Sequence, residues 1–152
     1  MVEITTEEIG YMKKILECYY FAQDQQQKEL RHALELQILL EQECKVSGMP
    51  YDSYGDGCSV SFPEGSYLQQ LSIEIATHDV DAKRWMQKFK GLDKTHKINY
   101  RLNRLPKDQK ETLLSVYRRG ISVYKLAEKA GISTQAYHDR INTAIRHMLE
   151  VE

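Results

Sequence analysis

The sequence predicts an all-α protein, and three observations lead to this prediction. Apolar residues recur at steps of three and four through most of the chain, which is the spacing of one helix face. No segment of useful length alternates apolar and polar residues as a half-buried strand does. Helix-start and helix-stop residues follow one another closely in the C-terminal third. We therefore expect a helical N-terminal part, residues 1–46, a Gly/Pro-rich linker, residues 47–66, and a helical C-terminal domain, residues 67–152.

The N-terminal part begins with a capping box, in which Thr5 and Glu8 each satisfy the backbone amide of the other. From there a heptad-like seam continues, and no Pro or Gly interrupts residues 11–47,. One helix of about 60 Å fits this pattern, and so does a break at residues 23–27. A helical hairpin and a dimerising helix are both open. The seam consists of Ile9, Met12, Leu16, Tyr19, Gln23, Gln26, Leu30, Ala33, Gln37, Leu40 and Cys44.

Residues 47–66 read as a linker because they combine Gly and Pro with Asp and Ser at high density,. Helical spacing returns over residues 67–90, with a predicted stop at Gly91, and a short helix is expected over residues 93–104.

The charge of the chain divides sharply between its two parts. Residues up to Ala82 contain 5 Lys and Arg against 15 Asp and Glu, whereas the chain from Lys83 onward contains 16 against 7. The net charge of −1 therefore hides an acidic part and a basic part,. A basic part of this kind favours contact with phosphates, and the acidic part could compete with those phosphates for it.

Residues 106–149 predict a helix-turn-helix. A first helix begins at Pro106 and ends at Arg119-Gly120, and a second runs from Ser122 to residue 130. The segment Gly131-Ile132-Ser133 then turns the chain into a third helix. The inward stripe of that third helix is expected to be Tyr137, Ile141, Ala144, Ile145 and Met148,.

The outer face of the third helix is the surface that a major groove would meet in this docking mode. The side chains expected to read bases are Ser133, Thr134, Gln135, His138 and Asn142. Those expected to contact phosphates are Arg118, Arg119, Lys125, Arg140 and Arg146. Asp139 argues against DNA contact, since phosphates repel a carboxylate unless it accepts from cytosine or pairs with an Arg.

One stretch of the C-terminal part begins with Leu105-Pro106 and continues through Lys125-Leu126-Ala127-Glu128-Lys129-Ala130-Gly131-Ile132-Ser133 to Tyr137, Arg140-Ile141, Ala144 and Leu149. This stretch resembles region 4 of bacterial sigma-70-type factors. It is also similar to the ArpU/RinA-type regulators of late genes in phages of Gram-positive bacteria. Tyr137 departs from the aliphatic residue usual at its place. The resemblance implies a sequence-specific transcriptional regulator that binds double-stranded DNA and acts with host RNA polymerase.

A second function stays open, in which the sigma-like domain docks on RNA polymerase or another regulator without reading DNA. Trp85, Met86 and Phe89 beside basic residues would then form an anchor patch.

No catalytic motif is present, so we expect no enzymatic activity and no cofactor. The three cysteines show no metal-ligand spacing, and the histidines are scattered, so no metal site is predicted,. Neither a membrane span nor a signal peptide is recognisable, and we expect a cytoplasmic protein.

Overall fold

The computed structural model describes residues 3–46 and 62–152, and these ranges contain helices and no strand. The prediction of an all-α fold is confirmed for them. Residues 47–61, which make up most of the predicted linker and include Cys58, lie outside the described residues. The helices are α1 (Thr6–Val46), α2 (Tyr67–His96), α3 (Ile98–Asn103), α4 (Lys107–Leu113), a π-helical segment (Leu114–Arg118), α5 (Val123–Ala130) and α6 (Thr134–Glu150).

The chain forms two compact units. Unit 1 combines Met1–Ala22 with Lys88–Glu152, and unit 2 is Gln23–Gln87. This division differs from the predicted regions 1–46 and 67–152, because the first part of α1 supplies buried side chains to the same cluster as the C-terminal helices. These buried side chains of α1 are Ile9, Met12, Ile15, Leu16, Tyr19 and Tyr20.

Of the two alternatives for the N-terminal part, α1 is the uninterrupted helix. Its predicted capping box is present: the Thr5 amide donates to Glu8 Oε2 over 2.8 Å, and the Glu8 amide donates to Thr5 Oγ1 over 3.2 Å. The predicted seam is not buried along its whole length, because its three glutamines are half-buried and Leu30 is exposed.

The predicted helix stop at Gly91 is wrong, because α2 continues through it to His96. The break falls at Lys97, whose φ of 52° is left-handed and separates α2 from α3. Phe89 and Leu92, on either side of Gly91, both pack against the core of unit 1. Burial of these flanking side chains outweighs the helix-weakening effect of one glycine, which is about 1 kcal/mol.

The C-terminal helices of unit 1 follow the predicted order closely. All five residues of the predicted inward stripe of α6 are buried, and so are Leu113 and Ala127. One difference concerns the first helix, which leaves α-helical geometry after Leu113 and ends in the π-helical segment. The described residues contain no helix that is both long and apolar enough to cross a membrane.

Candidate nucleic-acid interface

The turn between α5 and α6 is held by local hydrogen bonds and one left-handed glycine. Ser122 Oγ accepts from the Lys125 amide over 3.3 Å at the start of α5, and Ser133 Oγ accepts from the Ala136 amide over 3.1 Å at the start of α6. Gly131 ends α5 with a φ of 70°, a conformation that glycine adopts without steric cost,. These contacts fix the direction in which α6 leaves the turn.

The α6 helix has one buried face and one polar flank. Gln135, His138, Asn142 and Arg146 follow one another at steps of three and four residues, so they form a single stripe along the helix,. Thr134, Gln135, His138 and Arg146 are exposed. A large ligand that approaches α6 from this flank can therefore reach a hydroxyl, an amide, an imidazole and a guanidinium group.

Two of the predicted base-reading residues have part of their polar groups already engaged or enclosed. Ser133 is exposed, but its hydroxyl oxygen accepts the capping hydrogen bond. Asn142 is half-buried, and its Oδ1 is buried with no hydrogen-bond partner in the described part of the chain. Gln135 and His138 thus present the more accessible polar atoms.

Asp139 lies on the same side of α6 as Gln135 and engages it directly. Gln135 Nε2 donates to Asp139 Oδ1 over 3.3 Å, within one turn of the helix. The contact holds the Gln135 amide near a carboxylate and leaves its carbonyl oxygen outside this hydrogen bond. A ligand that binds Gln135 bidentately would have to displace Asp139.

All five predicted phosphate-binding residues are exposed. Arg118, Lys125, Arg140 and Arg146 form no ion pair with any described residue. Arg119 differs, because its Nη1 donates to Glu111 Oε1 and also to Ser115 Oγ, the latter over 3.2 Å. The hydrogen bond from Arg119 and its positive charge hold the pKa of Glu111 below its usual range,. A phosphate at Arg119 would therefore compete with Glu111.

A groove of about 640 Å³ lies between α4 and α6. Asp108, Glu111 and Asp139 supply carboxylates to its lining, and Arg140 supplies the cation. The predominance of carboxylates makes the groove itself a poor place for a phosphate. Of the exposed cations without an ion pair, Arg140 lines this groove, whereas Arg118, Lys125 and Arg146 do not.

Unit 1 as a whole is basic. It contains 16 Lys and Arg against 11 Asp and Glu, a net charge of +5, although it includes the acidic start of α1. Unit 2 contains 5 against 11, a net charge of −6. The charge separation predicted along the sequence therefore persists between the units, in weaker form.

Sequence reasoning missed the partners of Arg119. Glu111 and Arg119 are eight residues apart, a spacing that no regular i, i+4 pattern predicts, and the π-helical segment lies between them,. Of the predicted aromatic anchor patch, Phe89 packs against the core of unit 1, with its ring 6.0 Å from that of Tyr19 in an edge-to-face arrangement.

Comparison with protein-family models found no match, and comparisons with curated proteins and with solved structures found no similar protein. The resemblance to sigma region 4 and to ArpU/RinA-type regulators stays a prediction.

Proposed function

We propose that this protein is a sequence-specific DNA-binding transcriptional regulator, a phage-type activator of late genes that acts with host RNA polymerase. The observation that carries the DNA-binding part is the exposed polar flank of α6, in a unit with a net charge of +5. The phage origin rests on the similarity of residues 105–149 to ArpU/RinA-type regulators, and the polymerase contact rests on their resemblance to sigma region 4.

In the proposed complex, α6 lies in the major groove with its first turns against the base edges. Gln135 would donate to and accept from adenine, once Asp139 releases its amide nitrogen,. The ring nitrogens of His138 would hydrogen-bond to base edges. The methyl group of Thr134 would contact a thymine methyl. These groups would supply sequence preference.

The cations would set affinity and register. Lysine and arginine side chains that neutralise phosphates release counterions, so binding should weaken steeply as salt is added. Four of the five predicted phosphate contacts are free of ion pairs in the described residues. With about 0.9 counterion released per phosphate contact, four contacts give a slope of log K against log salt of about −4.

We also propose that the protein pairs through its N-terminal helix. Leu30, Leu34 and Ile38 follow one another at steps of four on α1, and all three are exposed within unit 2. A second copy of this stripe is the proposed occupant, because a symmetric pair would present two α6 helices to two half-sites. Exposed apolar side chains in such a row are unfavourable in water and gain by covering one another.

The test is a selection of bound duplexes from a random-sequence library at physiological salt, with the molar mass of the bound species measured by light scattering. We expect one enriched motif, made of two half-sites if the bound species is a dimer. A monomeric bound species would remove the pairing proposal and leave the DNA proposal standing. If no motif is enriched and RNA polymerase co-purifies, the non-reading adaptor is the better description.

Two matched variants divide the roles within the interface. Gln135→Ala should relax the preference at one or two positions of the motif, at a cost of about 1–3 kcal/mol for the preferred base. Lys125→Gln should weaken binding to all sequences by a similar factor. Equal effects of the two variants on every sequence would contradict base reading by α6.

A further inference from the structure

Three potential metal ligands converge in unit 2, whereas the residues proposed to bind DNA belong to unit 1. Glu29 and His32 belong to α1 and His78 belongs to α2. One ligand atom from each residue lies within 4.8 Å of the other two. This is the one group of three or more metal-ligating side chains within residues 3–46 and 62–152 that meets such a limit.

The packing of the two helices explains why these residues meet. Leu40 and Cys44 of α1 are buried with Leu71 and Ile75 of α2. Because Glu29, earlier in α1, contacts His78, later in α2, the two helices are antiparallel in unit 2. Moving back along α1 and forward along α2 from this cluster leads to Glu29 and His78, which contact each other.

The three side chains already interact without a metal. His78 Nδ1 and Glu29 Oε2 are hydrogen-bonded, and both side chains are half-buried, with relative exposures of 28% and 20%. The rings of His32 and His78 lie edge to face with their centres 5.3 Å apart. His32 is exposed, and its ring lies against the ring of His78 without taking part in the Glu29–His78 hydrogen bond.

Two imidazoles and one carboxylate are a donor set that zinc uses, with a fourth position left for water or another ligand. At metal–ligand distances of about 2.1 Å, the ligand atoms of a tetrahedral site lie about 3.4 Å apart. The three ligand atoms already lie within 4.8 Å of one another, and for an ion to enter, the Glu29–His78 hydrogen bond would have to open while the exposed His32 side chain turns toward it. Glu29 and His32 are three residues apart, which places them on the same face of α1.

We propose that unit 2 binds one divalent transition-metal ion, with zinc as the expected metal, through Glu29, His32 and His78. The ion would link α1 to α2. Its effect would be to stabilise this helix pair, because a metal held by both helices favours the folded arrangement over the unfolded chain. The buried apolar cluster of unit 2 has five members among the described residues, so an added link would contribute a substantial part of its stability,.

The experiment uses the full chain, freed of metal by a chelator and kept reduced, and titrated with Zn²⁺ by calorimetry and with Co²⁺ by visible absorption. We expect one ion per chain and a cobalt spectrum without sulfur-to-metal charge transfer. Removing a group that only supports a ligand weakens metal affinity by roughly 10- to 100-fold. His32→Ala, which removes a direct ligand, should therefore weaken Zn²⁺ binding by at least about 100-fold.

Paired variants test each proposed ligand against a residue outside the site. His32 is exposed, so His32→Ala should retain the far-ultraviolet circular dichroism of the wild type, and its melting temperature should no longer rise with Zn²⁺,. His138→Ala removes an exposed histidine of unit 1 and should leave Zn²⁺ binding unchanged. Glu29→Gln should weaken binding, whereas Glu35→Gln, an exposed neighbour on α1, should not. Undiminished binding by His32→Ala, sulfur ligation of cobalt, or no binding by the wild type would overturn the proposal.

Discussion

Leu16→Ala tests whether the start of α1 is part of the core of unit 1. The Leu16 side chain is 1% exposed and belongs to the same buried cluster as Ile145 and Met148 of α6. Replacing a buried leucine by alanine costs about 2–5 kcal/mol, because transfer energy is lost and a cavity remains. We expect a loss of about 3 kcal/mol, equivalent to roughly 6–12 °C in melting temperature for a chain of this size.

Hydrogen exchange measured by mass spectrometry locates the loss. If the amides of α6 exchange through opening of unit 1, a loss of about 3 kcal/mol accelerates their exchange by roughly 100-fold. Cys18→Ala is the matched control, since Cys18 is exposed two residues further along α1 and should change stability by less than about 0.5 kcal/mol,. Unchanged exchange of α6 in Leu16→Ala would refute the assignment of α1 to this core.

Three further predictions concern the backbone, the pH range and the cations. Gly91→Ala should raise the free energy of unfolding by about 1 kcal/mol, because Gly91 lies within α2 with open space for a Cβ,. Gly131→Ala should lower it by about 1 kcal/mol, because Gly131 has a left-handed φ,. Urea titrations in which both variants change the free energy of unfolding in the same direction would contradict this prediction. Burial raises the pKa of Tyr20 to about 12, so the phenol ionises at lower pH in the unfolded chain than in the folded protein,. The free energy of unfolding that is present below pH 10 should therefore fall as the pH rises toward 12, and it should fall less in Tyr20→Phe. An identical pH profile for the two proteins would count against the burial of Tyr20. Glu111→Gln should free Arg119 and steepen the salt dependence of DNA binding by about 0.9, and an unchanged slope would exclude Arg119 as a phosphate contact,.

Local signals predicted the C-terminal helices well. The caps at Ser122 and Ser133 and the glycine at 131 act within a few residues of the turns that they form, so their effect can be read directly from the chain,. The inward stripe of α6 was predictable for the same reason, because a period of 3.6 residues fixes which side chains share a face.

The features of the fold and of the candidate site that the sequence did not predict depend on packing between distant parts of the chain or on local backbone geometry. The first part of α1 belongs to unit 1 because its apolar stripe packs against the C-terminal helices. The pattern of one apolar stripe does not show which other helix it will pack against. The helix α2 continues past Gly91 because the residues flanking Gly91 pack against the core of unit 1. The Arg119–Glu111 ion pair spans the π-helical segment, whose geometry the sequence pattern did not predict. His78 is 46 residues from His32 along the chain, so their proximity carries no short-range signal.

The salt dependence of DNA affinity tests the central proposal most directly. A labelled random-sequence duplex is titrated with the full chain at several salt concentrations, and binding is followed by fluorescence anisotropy. We expect a linear plot of log K against log salt with a slope of about −4, since four exposed cations, Arg118, Lys125, Arg140 and Arg146, are available for phosphates,. A flat plot, or no binding at low salt, would contradict it.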